Sequence, residues 1–279
     1  MLASTIVGTG LTAVDVILEA HALGFQGTYT VVSRHGRFPL PHENPSALAN
    51  IDLPQGWETR GSVTQLLKLV RQQARAISTS QPVIDAMRPR IQAMWKNLSP
   101  KERLRFIRHV QPFWEIHRHR IPAEHARIIQ QLRDENRLNL IAGRVSATRA
   151  EGGNHIVQVA LRGKDRSPLT LQSDAALLCA GTDGHLASSS EPLIQNLIQQ
   201  GLLKTGPLKL GALPPQETHA LHGARTLWVV GPLQRETGWE ITAVRELREE
   251  ALTVAHDVIE ALSDTGRENC PSSASARDF

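Results

Sequence analysis

The chain predicts an α/β fold built on a parallel β-sheet, and three observations carry that expectation. The first is Ile6-Val7-Gly8-Thr9-Gly10-Leu11-Thr12-Ala13-Val14-Asp15, a G-x-G-x-x-A pattern that follows a short apolar run and opens an amphipathic segment. The second is the helical stripe Val14, Ile17, Leu18 and Leu23, closed by Gly24 and Gly27 and followed by the strand-like run Thr28–Ser33. The third is a pair of later apolar runs, Asp174–Thr182 and Thr226–Pro232, that read as buried parallel-type strands. The first two form a βαβ start in about 30 residues, the opening of a Rossmann-like parallel sheet.

Each position of the fingerprint has a physical task. Gly8 makes the strand-to-helix turn. Gly10 lets a pyrophosphate approach the backbone, because a side chain there blocks it. Ala13 lets the helix lie close on the strand. Thr9, Leu11 and Thr12 complete the loop, whose helix N-terminus offers free N–H groups and partial positive charge to phosphates. The same glycines also suit a plain turn in an ordinary α/β protein.

The 279 residues can bury a large core, and the net charge of +4 is modest. It is unevenly spread: Lys101 to Arg149 holds eleven Lys/Arg against five Asp/Glu. That suits either an anionic partner or a solvated helical face. Cys179 and Cys270 form no C-x-x-C pair, so a reduced, cytoplasmic setting is expected. No Lys or Arg precedes Arg34, and Asp15 and Glu19 interrupt the apolar N-terminus. Neither a signal peptide nor a membrane span is expected there.

After the second strand comes Ser33-Arg34-His35-Gly36-Arg37-Phe38-Pro39. Such a strand tip reads the adenosine ribose: an acidic residue favours NAD, and Arg favours the 2′-phosphate of NADP. No acid stands at this tip, and Ser33, Arg34 and Arg37 are available, or are a solvated loop. Pro39, Pro41 and Pro45 keep the next segment extended.

Residues 62–77, 83–97 and 100–109 read as three helices of an insertion at about 57–137. Leu66, Leu67, Leu69, Val70 and Ile77 line the first, and Ser99-Pro100-Lys101-Glu102 is a capping box opening the third. The stretch His109–Arg120 is dense in aromatics and cations. It fits an active-site lining as well as an anchored insertion. His117 and His119 share a face only if extended, and no third ligand completes a zinc site. A helix near 122–135 and a strand over Leu138–Val145 follow. Ile156–Leu161 and Leu169–Leu171 suggest an antiparallel excursion turning at Glu151-Gly152-Gly153-Asn154. The Asp174–Thr182 strand ends at small residues, with Gly181 open to a ligand.

A helix over Pro192–Gly201, a loop-and-strand region over Gly206–Pro215, the Thr226–Pro232 strand and a loop Leu233–Glu240 come next. A helix over about 241–262 carries the stripe Val244, Leu247, Ala251, Val254, Ala255, Val258 and Leu262. Ser, Arg and Asn then dominate, so 264–279 is expected to be a disordered tail.

Taken together, Ile6–Asp15, Ser33–Gly36, Arg108–Arg120, Ala142-Gly143-Arg144, Gly231-Pro232 and Trp239–Val244 resemble bacterial FAD/NAD(P)-binding proteins of the two-dinucleotide-binding flavoprotein superfamily. The resemblance implies that Gly8 to Ala13 is the NAD(P) fingerprint. It also implies that Gly231, Trp239 and Glu240 lie near a flavin ring. Residues 1–185 then form the NAD(P)-binding domain and 186–263 the C-terminal part of a flavin-binding domain. The family's first βαβ unit, with its own FAD-binding glycines, has no counterpart here, and Arg245 stands where a proline is usual. The architecture is therefore an incomplete one. It is either a truncated product or a chain needing self-association or a partner chain to complete the flavin domain. NADP, or NAD, is the expected cofactor, with FAD only if the N-terminal unit is supplied.

The expected activity is hydride transfer between pyridine nucleotide and flavin, on a small-molecule substrate the sequence does not name. His35 and Glu240 are acid–base candidates. The alternatives are a non-catalytic remnant that binds nucleotide weakly and a nucleic-acid-binding protein using the basic insertion.

Overall fold

The computed structural model describes residues 2–43, 51–163, 167–181, 185–213, 227–242 and 244–268. In chain order the elements are β1 (Ala3–Val7), α1 (Leu11–Ala22), β2 (Thr28–Ser33), α2 (Val63–Ala76), α3 (Gln81–Met87), α4 (Ile91–Asn97), α5 (Pro100–His109), α6 (Gln111–Arg118) and α7 (Ala123–Asp134). They continue with β3 (Leu138–Glu151), β4 (Asn154–Leu161), β5 (Leu169–Ser173), β6 (Ala175–Leu178), α8 (Pro192–Gln199) and α9 (Val244–Glu268).

The chain divides into two compact units. The first contains residues 1–57, 63–89 and 105–182, and the second 58–62, 90–104 and 183–279. The first holds a six-stranded sheet in the order β5-β4-β3-β2-β1-β6. β6, β1, β2 and the start of β3 run parallel, as the βαβ reading requires. β3 passes a register shift between Val145 and Ala147 and continues as the first strand of an antiparallel meander with β4 and β5. α1 and α7 cover one face of the parallel strands, where Ile6, Val14, Ile17, Val31, Ile129 and Leu132 form the core. On the other face Val32 packs with Val157 and Val159 of β4. Burying these side chains from both faces supplies the main stabilising term.

The expected elements largely form, and each departure has a cause. The helix expected over 83–97 breaks into α3, a 3-10 turn at Arg88–Arg90 and α4. Pro89 lacks an N–H and clashes with the preceding turn, so one helix cannot pass through it. α5 starts as the capping box predicts, with the Glu102 N–H donating to Ser99 Oγ at 3.3 Å. α6 replaces the extended conformation that would have set His117 beside His119. β6 is not buried: Leu178 is 80% exposed. Among the described residues it sits at the sheet edge and pairs only with β1, so an all-apolar run does not imply cover on both faces.

In the second unit Leu186, Leu203, Ala212 and Val229 form a small core against α8 side chains. Within the Thr226–Pro232 run, the described residues 227–231 do not form the expected strand. Among the described residues this unit holds no sheet for them to join. A 3-10 turn at Pro232–Gln234 follows. α9 begins at Val244 rather than 241 and continues past 262 to Glu268, into the segment expected to be a tail. Pro45, Thr182, Thr226 and residues 269–279, including Cys270, lie outside the described residues.

Candidate functional site

The fingerprint forms the turn between β1 and α1. Gly8 donates its N–H to Val32 O at 2.8 Å and holds φ at +117°. A Cβ on Gly8 would stand 2.1 Å from the Cys179 carbonyl oxygen, so this glycine is imposed by the protein itself. Gly10 is the opposite case. Its φ of −73° suits any residue, and a Cβ there meets nothing within 4 Å among the described residues. The space above Gly10 is open to an incoming group. Gly10 is also the N-cap of α1, which has no side-chain cap and no acidic residue in its first turn. Its N–H groups and dipole are left available to an anion. Leu11 and Thr12 are exposed beside it, while Ala13 is buried against the sheet.

Thr9 connects this loop to the β2 tip. Its hydroxyl donates to Ser33 Oγ at 3.1 Å, and Ser33 Oγ also accepts the Gly36 N–H at 3.0 Å. Arg34 is exposed. Arg37 stacks over the Phe113 ring, 4.1 Å from its centroid, and its Nη1 is buried without an acceptor. Arg162, at the end of β4, donates to His35 Nδ1. Burial first, then the charges of Arg162, Arg34 and Arg37, hold the His35 imidazole below its ordinary pKa. Sequence reasoning missed Arg162, since nothing local marks it. Register puts it there: its N–H bonds Ala142 O at 2.9 Å, and Ala142 is paired with Ser33 of β2. Gly181, three residues past β6, has a φ of +77°, and a Cβ there would meet nothing within 4 Å among the described residues.

The dense stretch His109–Arg120 is divided among structural tasks. Trp114 is buried with Phe106, their centroids 6.2 Å apart. His117 Nδ1 lies 2.7 Å from Phe113 O, and His119 pairs with Glu115 at 3.1 Å. The Arg120 side chain is 7% exposed and pairs with Asp85 at 2.6 Å. Among the described residues no three His, Cys, Asp or Glu side chains cluster to hold a metal. Cations of the basic stretch Lys101–Arg149 are likewise paired, Arg137 with Glu135 and the Phe25 carbonyl and Arg149 with Glu151.

In the second unit, Trp239 is buried and stacked on Trp95 at 4.7 Å. Gln92 brackets its peptide, donating to Trp239 O and accepting the Trp239 N–H at 3.0 Å. Glu236 is buried and accepts the N–H groups of Leu208 and Leu210 at 2.8 and 3.0 Å. Burial lowers the Arg103 pKa and the Glu236 charge raises it. Glu240 is also buried, with φ at +62°, and Gly231 donates its N–H to Glu250 at 2.7 Å. Trp239 and Glu240 thus sit within the packing of this unit.

No family model and no curated protein matches the sequence. Solved structures do. The FAD-bound cadaverine monooxygenase DfoA of Erwinia amylovora matches with a TM-score of 0.52 at 13% identity, over 100% of this chain and 55% of that one. The L-lysine 6-monooxygenase of Pseudomonas syringae matches at 0.53 and 15%, over 94% and 54%. The ornithine hydroxylase PvdA of Pseudomonas aeruginosa matches at 0.53 and 10%, over 94% and 53%. The chain spans about half the length of these proteins. Among the described residues no helix is long and apolar enough to cross a membrane. At these identities the likeness concerns architecture alone, and the chain shares an α/β fold with these monooxygenases.

Proposed function

We propose that this chain is the pyridine-nucleotide-binding part of an oxidoreductase and that it binds NADPH in preference to NADH. The observation that carries the reading is the contrast between the two glycines. Gly8 is required by the protein's own packing, whereas Gly10 faces open space at an uncapped helix N-terminus. An absent side chain at Gly10 serves no protein neighbour among the described residues, and a pyrophosphate seated on the α1 N–H groups would account for it.

The fit extends along the loop. Thr9 and Ser33 tie the turn to the β2 tip, and Arg34 and Arg37 supply cations where a ribose 2′-phosphate would lie. Gly181 leaves room beside the same end of the parallel strands. Bound NADPH supplies a hydride; the chain's own residues bind, orient and neutralise charge.

A resident FAD fits less well. Among the described residues only one glycine-rich turn joins a strand to a helix, and it is the one assigned to NADPH. Flavin binding, the electron acceptor, a completing partner chain and the small-molecule substrate therefore belong to the wider assembly in this reading. Gly231, Trp239 and Glu240 shape the segment that would face it. Nucleotide titration of the purified chain tests the proposal. NADPH binding that Gly10→Val abolishes supports it, and parent protein that binds neither nucleotide overturns it.

A further inference from the structure

We propose that His35 and Arg162 act as a proton-linked pair at the 2′-phosphate position, so that preference for NADPH over NADH strengthens as pH falls. The inference rests on the NADPH reading above. Its basis is the geometry of the β2 tip. Arg162 lies 127 residues from His35 in sequence, and β-sheet register brings it to the same tip, where it donates to Nδ1. An imidazole that accepts at Nδ1 is neutral and carries its single proton on Nε2.

The charged groups acting on this ring, among the described residues, are Arg34 and Arg37 on its own loop and Arg162 just past β4. No carboxylate is among them. Three cations around a neutral imidazole form a site short of an anion, and burial first, then these charges, suppress protonation of the ring. A phosphate dianion offsets most of the positive field that the ring experiences. His35 then takes up one proton from solvent at Nδ1. That atom stops accepting, so Arg162 is released from it, and both groups become donors to phosphate oxygens. Between the free-state and bound-state pKa values, up to one proton is bound per phosphate bound, and nothing else is consumed.

The sign follows from linkage. Phosphate raises the His35 pKa above its lowered free-state value. NADPH binding is therefore favoured below the free-state pKa, and the advantage is lost as pH rises through the bound-state value. NADH has no 2′-phosphate and leaves His35 unlinked.

The test measures NADPH and NADH dissociation constants by fluorescence titration between about pH 5.5 and about pH 8, the range in which histidine titrates. Parent protein is compared with His35→Gln, which can still accept from Arg162 but cannot titrate. The 2′-phosphate itself titrates near pH 6, so the parent-to-variant quotient isolates the imidazole. The NADPH/NADH preference of the parent should gain about tenfold at low pH, relative to His35→Gln, for each unit of upshift. In a histidine NMR titration of the parent, the His35 midpoint should rise with NADPH and stay in place with NADH. Arg162→Ala should weaken NADPH binding at least several-fold and leave NADH binding unchanged. A quotient that is flat with pH, or a His35 midpoint indifferent to NADPH, overturns this inference and leaves NADPH binding intact. Failure of the parent to bind either nucleotide overturns the NADPH reading instead.

Discussion

Gly8 and Gly10 are two residues apart and identical in composition, yet substitution should separate stability from binding. Gly8→Ala places a Cβ 2.1 Å from the Cys179 carbonyl oxygen at a φ of +117°. Left-handed strain costs about 1–3 kcal/mol. Forcing backbone apart in a packed region costs about another 1–3 kcal/mol. The loss, roughly 2–6 kcal/mol, is a large part of a domain's usual 5–15 kcal/mol. The Cβ of Gly10→Val meets nothing within 4 Å among the described residues, and φ there is ordinary. Its cost is confined to N-cap preference, about 1 kcal/mol or less. It nevertheless fills the space assigned to the pyrophosphate. Thermal unfolding without ligand, followed by NADPH titration, reads both effects. Gly8→Ala should lower Tm by about 2–4 °C for each kcal/mol. Gly10→Val should unfold within a few degrees of the parent, by the same scaling, and bind no NADPH. If Gly10→Val binds like the parent, the open space at Gly10 is incidental and the pyrophosphate assignment fails. If Gly8→Ala is as stable as the parent, the packing argument at Cys179 fails.

Three further outcomes follow from the same structure. Arg34→Ala should erase a preference for NADPH worth about 1.5–3 kcal/mol, more than tenfold in affinity, as measured by nucleotide titration; equal parent affinities refute it. Glu236→Ala removes a buried carboxylate that accepts two N–H groups and should cost roughly 3 kcal/mol in urea unfolding, with an unchanged midpoint counting against the assignment. The isolated chain should purify without flavin colour and should self-associate in light scattering. The β6 edge exposes Leu178, and Val244, Leu252, Ile259 and Leu262 line one exposed side of α9. A yellow monomer with about one flavin per chain would refute this, since only one glycine-rich turn is assigned to a dinucleotide.

What was legible in the sequence was local. The β1-turn-α1-β2 start, α2, the capping box of α5 and the β4–β5 excursion all depend on residues within a few turns of one another. Periodicity, glycine and proline placement and capping are determined at that range. The break between α3 and α4 was also written in the chain, in Pro89, although the apolar pattern on either side masked it. Tertiary structure alone decided the rest, because the partners are distant in sequence. Strand order put β6 at an edge, which no apolar run can signal. Gln92 and Trp239, 147 residues apart, meet within the second unit, where Trp239 stacks on Trp95. Arg162 reaches the β2 tip through the pairing of Ala142 with Ser33, and only that register turns two arginines of a loop into a cluster of three around His35.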